Sequence, residues 1–235
     1  MKKAMILAAG RGERMGVLTD NLPKALLKVG GHYLIDYAIL AIKRAGIQEI
    51  IINISWRAEK IKAALESGEH YGVKILYSEE QERLETGGGI FQALPLLGPQ
   101  AFLVMSSDII TDYPLQDLPQ DPEGLAHLVM VKNPSWHPGG DYGLCNEKII
   151  LDASEKLTYA SFGIFRPALF AGCLPGHFRL TKVFAPAIAA GKISGEEYQG
   201  LWYNMSTAQD IKEFERARED SNLRPLASET NTLSS

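Results

Sequence analysis

The chain has 235 residues, 46% of them hydrophobic and 22% charged, with a formal net charge of −4. That length suits one large α/β domain with at most a small appendage, and the acidic balance argues against a generic nucleic-acid or anionic-membrane surface. The two cysteines, Cys145 and Cys173, form no CxxC and no metal spacing, and no apolar run approaches the roughly 20 residues of a membrane span, so a reduced cytoplasmic protein is expected.

The first element is the wholly apolar run Ala4–Ala8, the pattern of a strand buried on both faces. Arg11, Glu13 and Arg14 follow too soon for MKKAMILAAG to serve as a signal peptide. The loop LAAGRGERMG comes next, with glycines at 10, 12 and 16. It is neither a dinucleotide fingerprint nor a Walker A loop, because both need glycine where Met15 stands. Ile35, Ala38, Ile39 and Ile42 recur at helical spacing, and Gly46 suits the helix end. EIIINIS reads as a strand, Ala58–Leu65 as a helix, VKILYS as a strand, GIFQALPLL as a helix and AFLVMSSD as a strand. This alternation predicts a doubly wound, mainly parallel sheet that binds ligands beyond the carboxyl ends of its strands.

After Asp112 the rhythm changes. GLAHLVMVK is a strand and NPSWHPGGDYG a turn-rich loop, while EKIILD and LTYASFGIF read as shorter strands added antiparallel over the main sheet. Helices are expected at Leu180–Ala190 and Thr207–Arg218. A single domain would end near residue 219, and the polar, aperiodic tail 220–235 is expected to be disordered.

Chemistry concentrates in few places. Gly10, Gly12 and Gly16 free the loop backbone to present N–H groups to an anion, and Arg11, Arg14 and Lys24 can add charge-assisted hydrogen bonds; a plain flexible turn is the alternative. Asp108, at the end of a strand on the ligand-binding edge, can hold Mg²⁺ together with substrate phosphates, or merely cap a turn. Trp136 and His137 can stack on a sugar or be ordinary surface residues.

The segment LAAGRGERMGVLTDNLPKALLKVGG, with Arg14, Leu18, Thr19, Pro23, Lys24, Leu26 and Gly31 in register, resembles the opening of the sugar-1-phosphate nucleotidyltransferases. ETGGGI, GLAHLVMVKNP and SGEEYQGLWYNMST extend the likeness, which is strongest to one branch, the N-acetylmuramic acid-1-phosphate uridylyltransferases. The resemblance implies a Rossmann-like three-layer α/β/α fold with a mostly parallel mixed central sheet. It also implies Mg²⁺-dependent coupling of a nucleoside triphosphate, UTP in that branch, to a sugar 1-phosphate. Arg14, Lys24 and Asp108 would be catalytic, and Ala9, Gly10, Arg11, Gly12, Glu13, Gln81, Gly87 and Gly88 would join Arg14 and Lys24 in holding the nucleotide. Glu85, Ser106, Asn133 and Asp141 would face the sugar phosphate, although Glu85, Gly87 and Gly88 also suit a helix start, and Asn133 and Asp141 a turn. Asp108 and Asn204 would hold the metal.

The chain departs from the family pattern near the metal. Ser106–Ser107 precede Asp108 in place of Asn-Gly, and Asn204 replaces a second aspartate, offering an oxygen without charge. The same chemistry with dTTP or GTP and another sugar, or a nucleotide-sugar-binding regulator, are the alternative readings.

Overall fold

A computed structural model describes residues 1–221. Nine strands form one sheet: β1 (Lys3–Leu7), β2 (Glu49–Ile54), β3 (Lys74–Glu79), β4 (Phe102–Ser106), β5 (Ala126–Val131), β6 (Gly143–Cys145), β7 (Lys148–Ile150), β8 (Thr158–Phe165) and β9 (Ile193–Tyr198). Their spatial order is β3-β2-β1-β4-β8-β5-β9-β7-β6. The strands β3, β2, β1 and β4 are mutually parallel. The strand β8 runs antiparallel to both β4 and β5, which restores the original direction in β5 and its parallel neighbour β9. The expectation of a mixed, mostly parallel sheet therefore holds.

Apolar residues on both faces of the central strands follow from a layer on each side. Ala4 and Ile6 of β1 pack with Ile35, Ile39 and Ile42 of α1 (Leu34–Arg44) and with Ile61 of α2 (Ala58–Leu65). Met5, pointing the other way, packs with Ile90 and Ala93 of α3 (Glu85–Leu97) and Phe184 of α4 (Thr181–Ala189). All three β1 residues are fully buried. The helix α1 is capped by Asp36, whose carboxylate accepts hydrogen bonds from the Tyr33 N–H (2.8 Å) and the Tyr71 hydroxyl (2.6 Å). Desolvation raises the Asp36 carboxyl above its ordinary range, against those bonds.

Three expectations need correction. The late strands do not lie over the sheet but extend it, and LTYASFGIF is no short addition: β8 spans eight residues in the middle of the sheet. Its pairing shifts between Tyr159 and Gly163, with Ser161 at φ 64°, so a bulge sits at its site-facing end. The helix α3 starts at Glu85, four residues before the expected Gly89. Consecutive glycines weaken helix propensity, but here they admit a neighbouring segment: a Cβ on Gly87 would lie 2.6 Å from Phe178, and one on Gly88 2.2 Å from the Gly176 carbonyl. The last helix, α5, covers Ala208–Ser221, and the remainder of the expected tail lies outside the described residues.

Gly163, at the centre of the sheet, has the Leu128 and Val104 backbones as neighbours, and a Cβ there would meet the His127 carbonyl at 2.3 Å. Backbone cannot yield as a side chain can. Gly163→Ala is expected to cost about 2 kcal/mol or more, read as a lower urea midpoint at unchanged slope.

Candidate active site

The carboxyl ends of β1 and β4 are adjacent, and the loops leaving them build the site. After β1 the chain turns at Gly12, whose φ of 72° favours glycine, and whose missing Cβ lets the Lys24 Cβ approach (2.8 Å from where a Cβ would stand). The Thr19 hydroxyl closes this loop, within reach of the Gly12 (3.0 Å) and Gly16 (3.1 Å) carbonyls. After β4, Ser107 N–H donates to the Leu7 carbonyl (3.1 Å), which aligns the two strand ends. The Lys24 ammonium then donates to Asp108 Oδ2, with side-chain exposures of only 12% and 22%.

These groups line a cleft of about 300 Å³. Its walls include Ala9, Gly10, Arg11, Gly12, Glu13, Arg14 and Lys24 on one side and Ser106, Asp108 and Ser206 on another, with Glu80, Arg83, Glu85 and Thr86 closing it. The structure thus brings the glycine loop, both expected catalytic cations and the strand-end aspartate to one place.

Other expected residues sit differently. Gln81 lines a second depression of about 820 Å³, shared with Trp56 and Arg57. Arg11 belongs to both, its guanidinium 4.6 Å from the Trp56 ring centre. Gly87 and Gly88 are buried against the Gly176–Arg179 segment and do not line the cleft. Glu85 lines it in a left-handed conformation (φ 59°), its carboxylate facing Arg83 (3.2 Å), His177 (3.6 Å) and Arg179 (3.8 Å).

Asn133 spends its side chain tying its loop to the start of β8. It donates to the Pro138 (3.1 Å) and Lys156 (2.9 Å) carbonyls and accepts from the Thr158 hydroxyl (2.9 Å). Asp141 accepts from the Tyr159 N–H (2.8 Å) and pairs with His137 (3.1 Å). Both hold the turn, and neither lines the cleft. Asn204 belongs to a two-stranded ribbon in which Trp202–Asn204 pairs antiparallel with Ile109–Thr111. The ribbon is tied to Asp108 by the Met205 N–H (2.9 Å), and the Asn204 side-chain oxygen accepts from the Ser206 hydroxyl (2.6 Å).

Two residues that sequence reasoning missed complete the wall. Asn53, at 3% exposure in β2, accepts from the Ala8 N–H (2.9 Å) and donates to Glu80 Oε1 (2.7 Å), while the Leu84 N–H donates to Glu80 Oε2 (3.1 Å). One amide and one carboxylate thereby tie the ends of β1, β2 and β3 to the start of α3. Burial pushes the Glu80 carboxyl up, against the lowering effect of the bonds from Asn53 and Leu84. An asparagine inside EIIINIS was the available signal, since a buried polar group needs partners. Glu80, within the charged run SEEQER, carried none.

The polar groups near Asp108 are oxygens, as a hard divalent cation needs: its carboxylate and the Ser206 hydroxyl line the cleft, while the Asn204 amide oxygen, which is not part of the lining, accepts from that hydroxyl. Among the described residues no three His, Cys, Asp or Glu side chains cluster as a metal cage. No helix among the described residues is long and apolar enough to cross a membrane.

A family model described as nucleotidyl transferase matches residues 3–156, covering the glycine loop, Lys24 and Asp108. The chain belongs to the nucleotidyl transferase family. This nucleotidyltransferase is 43% identical over 221 residues to the N-acetylmuramate alpha-1-phosphate uridylyltransferase of Neisseria meningitidis serogroup B, covering 90% of this chain and 96% of the relative. The protein of that name from Caulobacter vibrioides is 32% identical over 225 residues, 88% of this chain and 93% of the relative. The fold of the present chain is similar to that of a putative glucose-1-phosphate thymidylyltransferase from Bacillus anthracis, with a TM-score of 0.82 at 19% identity over 96% of this chain and 98% of that one.

Gly89 tests the buried wall. In an ordinary helix Gly→Ala stabilises by about 1 kcal/mol, but a Cβ here would lie 2.4 Å from Glu80 Oε1 and 2.8 Å from Asn53 Nδ2. Gly89→Ala is expected to reverse the usual sign, lowering the thermal midpoint and weakening nucleotide binding in calorimetry.

Proposed function

We propose that this enzyme couples a nucleoside triphosphate, UTP by preference, to a sugar 1-phosphate of the N-acetylmuramic acid type, releasing pyrophosphate. The observation that carries this reading is the meeting of Lys24 and Asp108 beside the glycine loop in the cleft. One oxygen of the sugar phosphate attacks the α-phosphorus of the nucleotide. The new P–O bond forms as the bond to the bridging oxygen of the β-phosphate breaks, and pyrophosphate leaves. The attacking phosphate monoester has a second pKa of about 6, so it is already a dianion near neutral pH and needs no general base. That accords with a site built from cations and N–H donors.

Arg14 and Lys24 neutralise charge that builds on the phosphoryl and leaving oxygens, and the loop backbone after β1 aligns the triphosphate. Asp108 orients Lys24 toward the phosphates through their shared contact. A magnesium ion held by Asp108, with the Asn204 and Ser206 oxygens close by, would supply further charge neutralisation for the phosphates. Because Asn204 is uncharged, the protein offers one negative ligand and the nucleotide the rest.

The base preference is supported by the 43% identity to a uridylyltransferase.

Pyrophosphate release across UTP, dTTP, GTP, CTP and ATP, with several sugar 1-phosphates, tests the proposal. Turnover is expected to be fastest with UTP and N-acetylmuramic acid 1-phosphate; no turnover with any pair would reject it. Lys24→Met is expected to lower kcat by about 10²–10³, the scale of losing one preorganised charge-stabilising donor. Chelation with EDTA should stop release and added Mg²⁺ restore it, while Asn204→Asp should tighten Mn²⁺ binding measured by electron paramagnetic resonance.

A further inference from the structure

The glycine loop is largely open to water: among residues 11–20 only Met15 and Thr19 are buried. Thr19 bonds back to the loop's own carbonyls, so Met15 is the side chain that anchors the loop in the body of the protein. It does so next to Arg14, which lines the cleft. Met15 belongs to a small core of its own, apart from those on the two faces of the sheet, with Val29, Ile110, Met205, Ile211 and Phe214. The last two come from α5, three positions apart and therefore on one helix face.

The same helix holds the opposite wall. Its first turn carries Asp210, whose carboxylate accepts from the Ser206 (2.8 Å) and Thr207 (2.7 Å) N–H groups, while the Thr207 hydroxyl accepts from the Asp210 N–H (3.2 Å). Ser206 lines the cleft, and its hydroxyl donates to Asn204. Farther along, the Phe214 ring meets Tyr203 of the ribbon edge-on, with centres 5.1 Å apart, and Tyr37 of α1 at 6.3 Å. Beyond it Arg218 lies against Gly30, where a Cβ would stand 1.8 Å from the guanidinium. One helix thus touches the loop on one side of Asp108 and the ribbon on the other.

We infer that α5 braces the two walls of the cleft against each other and that Phe214 is a positioning residue, which sets Arg14 through Met15 and Ser206 through Tyr203. The inference rests on the proposed function only for what Arg14 holds. An arginine stabilises charge on a phosphate in proportion to how well it is held in place beforehand. Arg14 is itself exposed, on a loop whose glycines leave the backbone free, so its placement has to come from the buried neighbour.

Hydrogen exchange on the full chain without ligand, read by mass spectrometry, tests the brace, and calorimetry with UTP tests its consequence. Phe214→Ala should speed exchange of the amides of residues 13–17 and 203–206 about tenfold or more and leave those of β1 and β2 unchanged. Asp210→Ala, which spares the core, should speed the same two segments about fivefold, the scale of one lost cap. UTP affinity should fall about fivefold to tenfold in Phe214→Ala, as for coupling carried by packed side chains, and Phe214→Leu should restore most of it. Phe184→Leu, in the core on the other face of the sheet, should lower the thermal midpoint and change neither loop exchange nor UTP affinity. Faster exchange confined to α5 and the ribbon, residues 13–17 exchanging at the unprotected rate in the parent, or the same loss of UTP affinity in Phe184→Leu overturns the inference. Coupled exchange in a protein that turns over no substrate pair keeps the brace and rejects the reaction. Turnover with exchange confined to α5 keeps the reaction and rejects the brace.

Discussion

The contact between the Lys24 ammonium and the Asp108 carboxylate is the constraint on which the site depends. The two come from different loops, one following β1 and one ending β4, and both are largely shielded from water. Removing either would leave a charge with little solvent and no partner. The pair therefore fixes how closely the glycine loop and the strand-end turn approach, and so the width of the cleft. It also places a cation and an anion side by side in the lining of the cleft.

Around this pair the chain uses glycine as a spacing device. Gly12 lets Lys24 come close, Gly87 and Gly88 admit the Gly176–Arg179 segment, and Gly89 leaves room for the Asn53–Glu80 bond. In three of these four cases the reason is an approach between parts of the chain far apart in sequence. The glycines of α3 are therefore packing residues first, and the cleft is reached by the neighbouring Glu85 and Thr86.

The two sides of Asp108 differ in character. Toward β1, the wall is made of the glycine loop, arginines and a buried carboxylate. Toward β8 and β5, beyond the residues that line the cleft, an indole pair, Trp136 with Trp202, is supported by a strand bulge and a pinned loop.

The sequence by itself determined the βαβαβ half of the fold and pointed to Arg14, Lys24 and Asp108, which the structure brings to one cleft. The elements are carried by local signals, apolar runs of strand length and helical periodicity, and the three residues were marked by the family resemblance. What only the tertiary structure decided is the insertion of β8 into the sheet, the glycine start of α3, the Asn53–Glu80 wall and the use of Asn133 and Asp141 as loop anchors. Each depends on a partner 18 or more residues away, or on a register set by a neighbouring strand. A charged residue in SEEQER looks like any solvated residue until the fold buries it against an asparagine from another strand, and burial is a property of the assembled layers that no local pattern encodes.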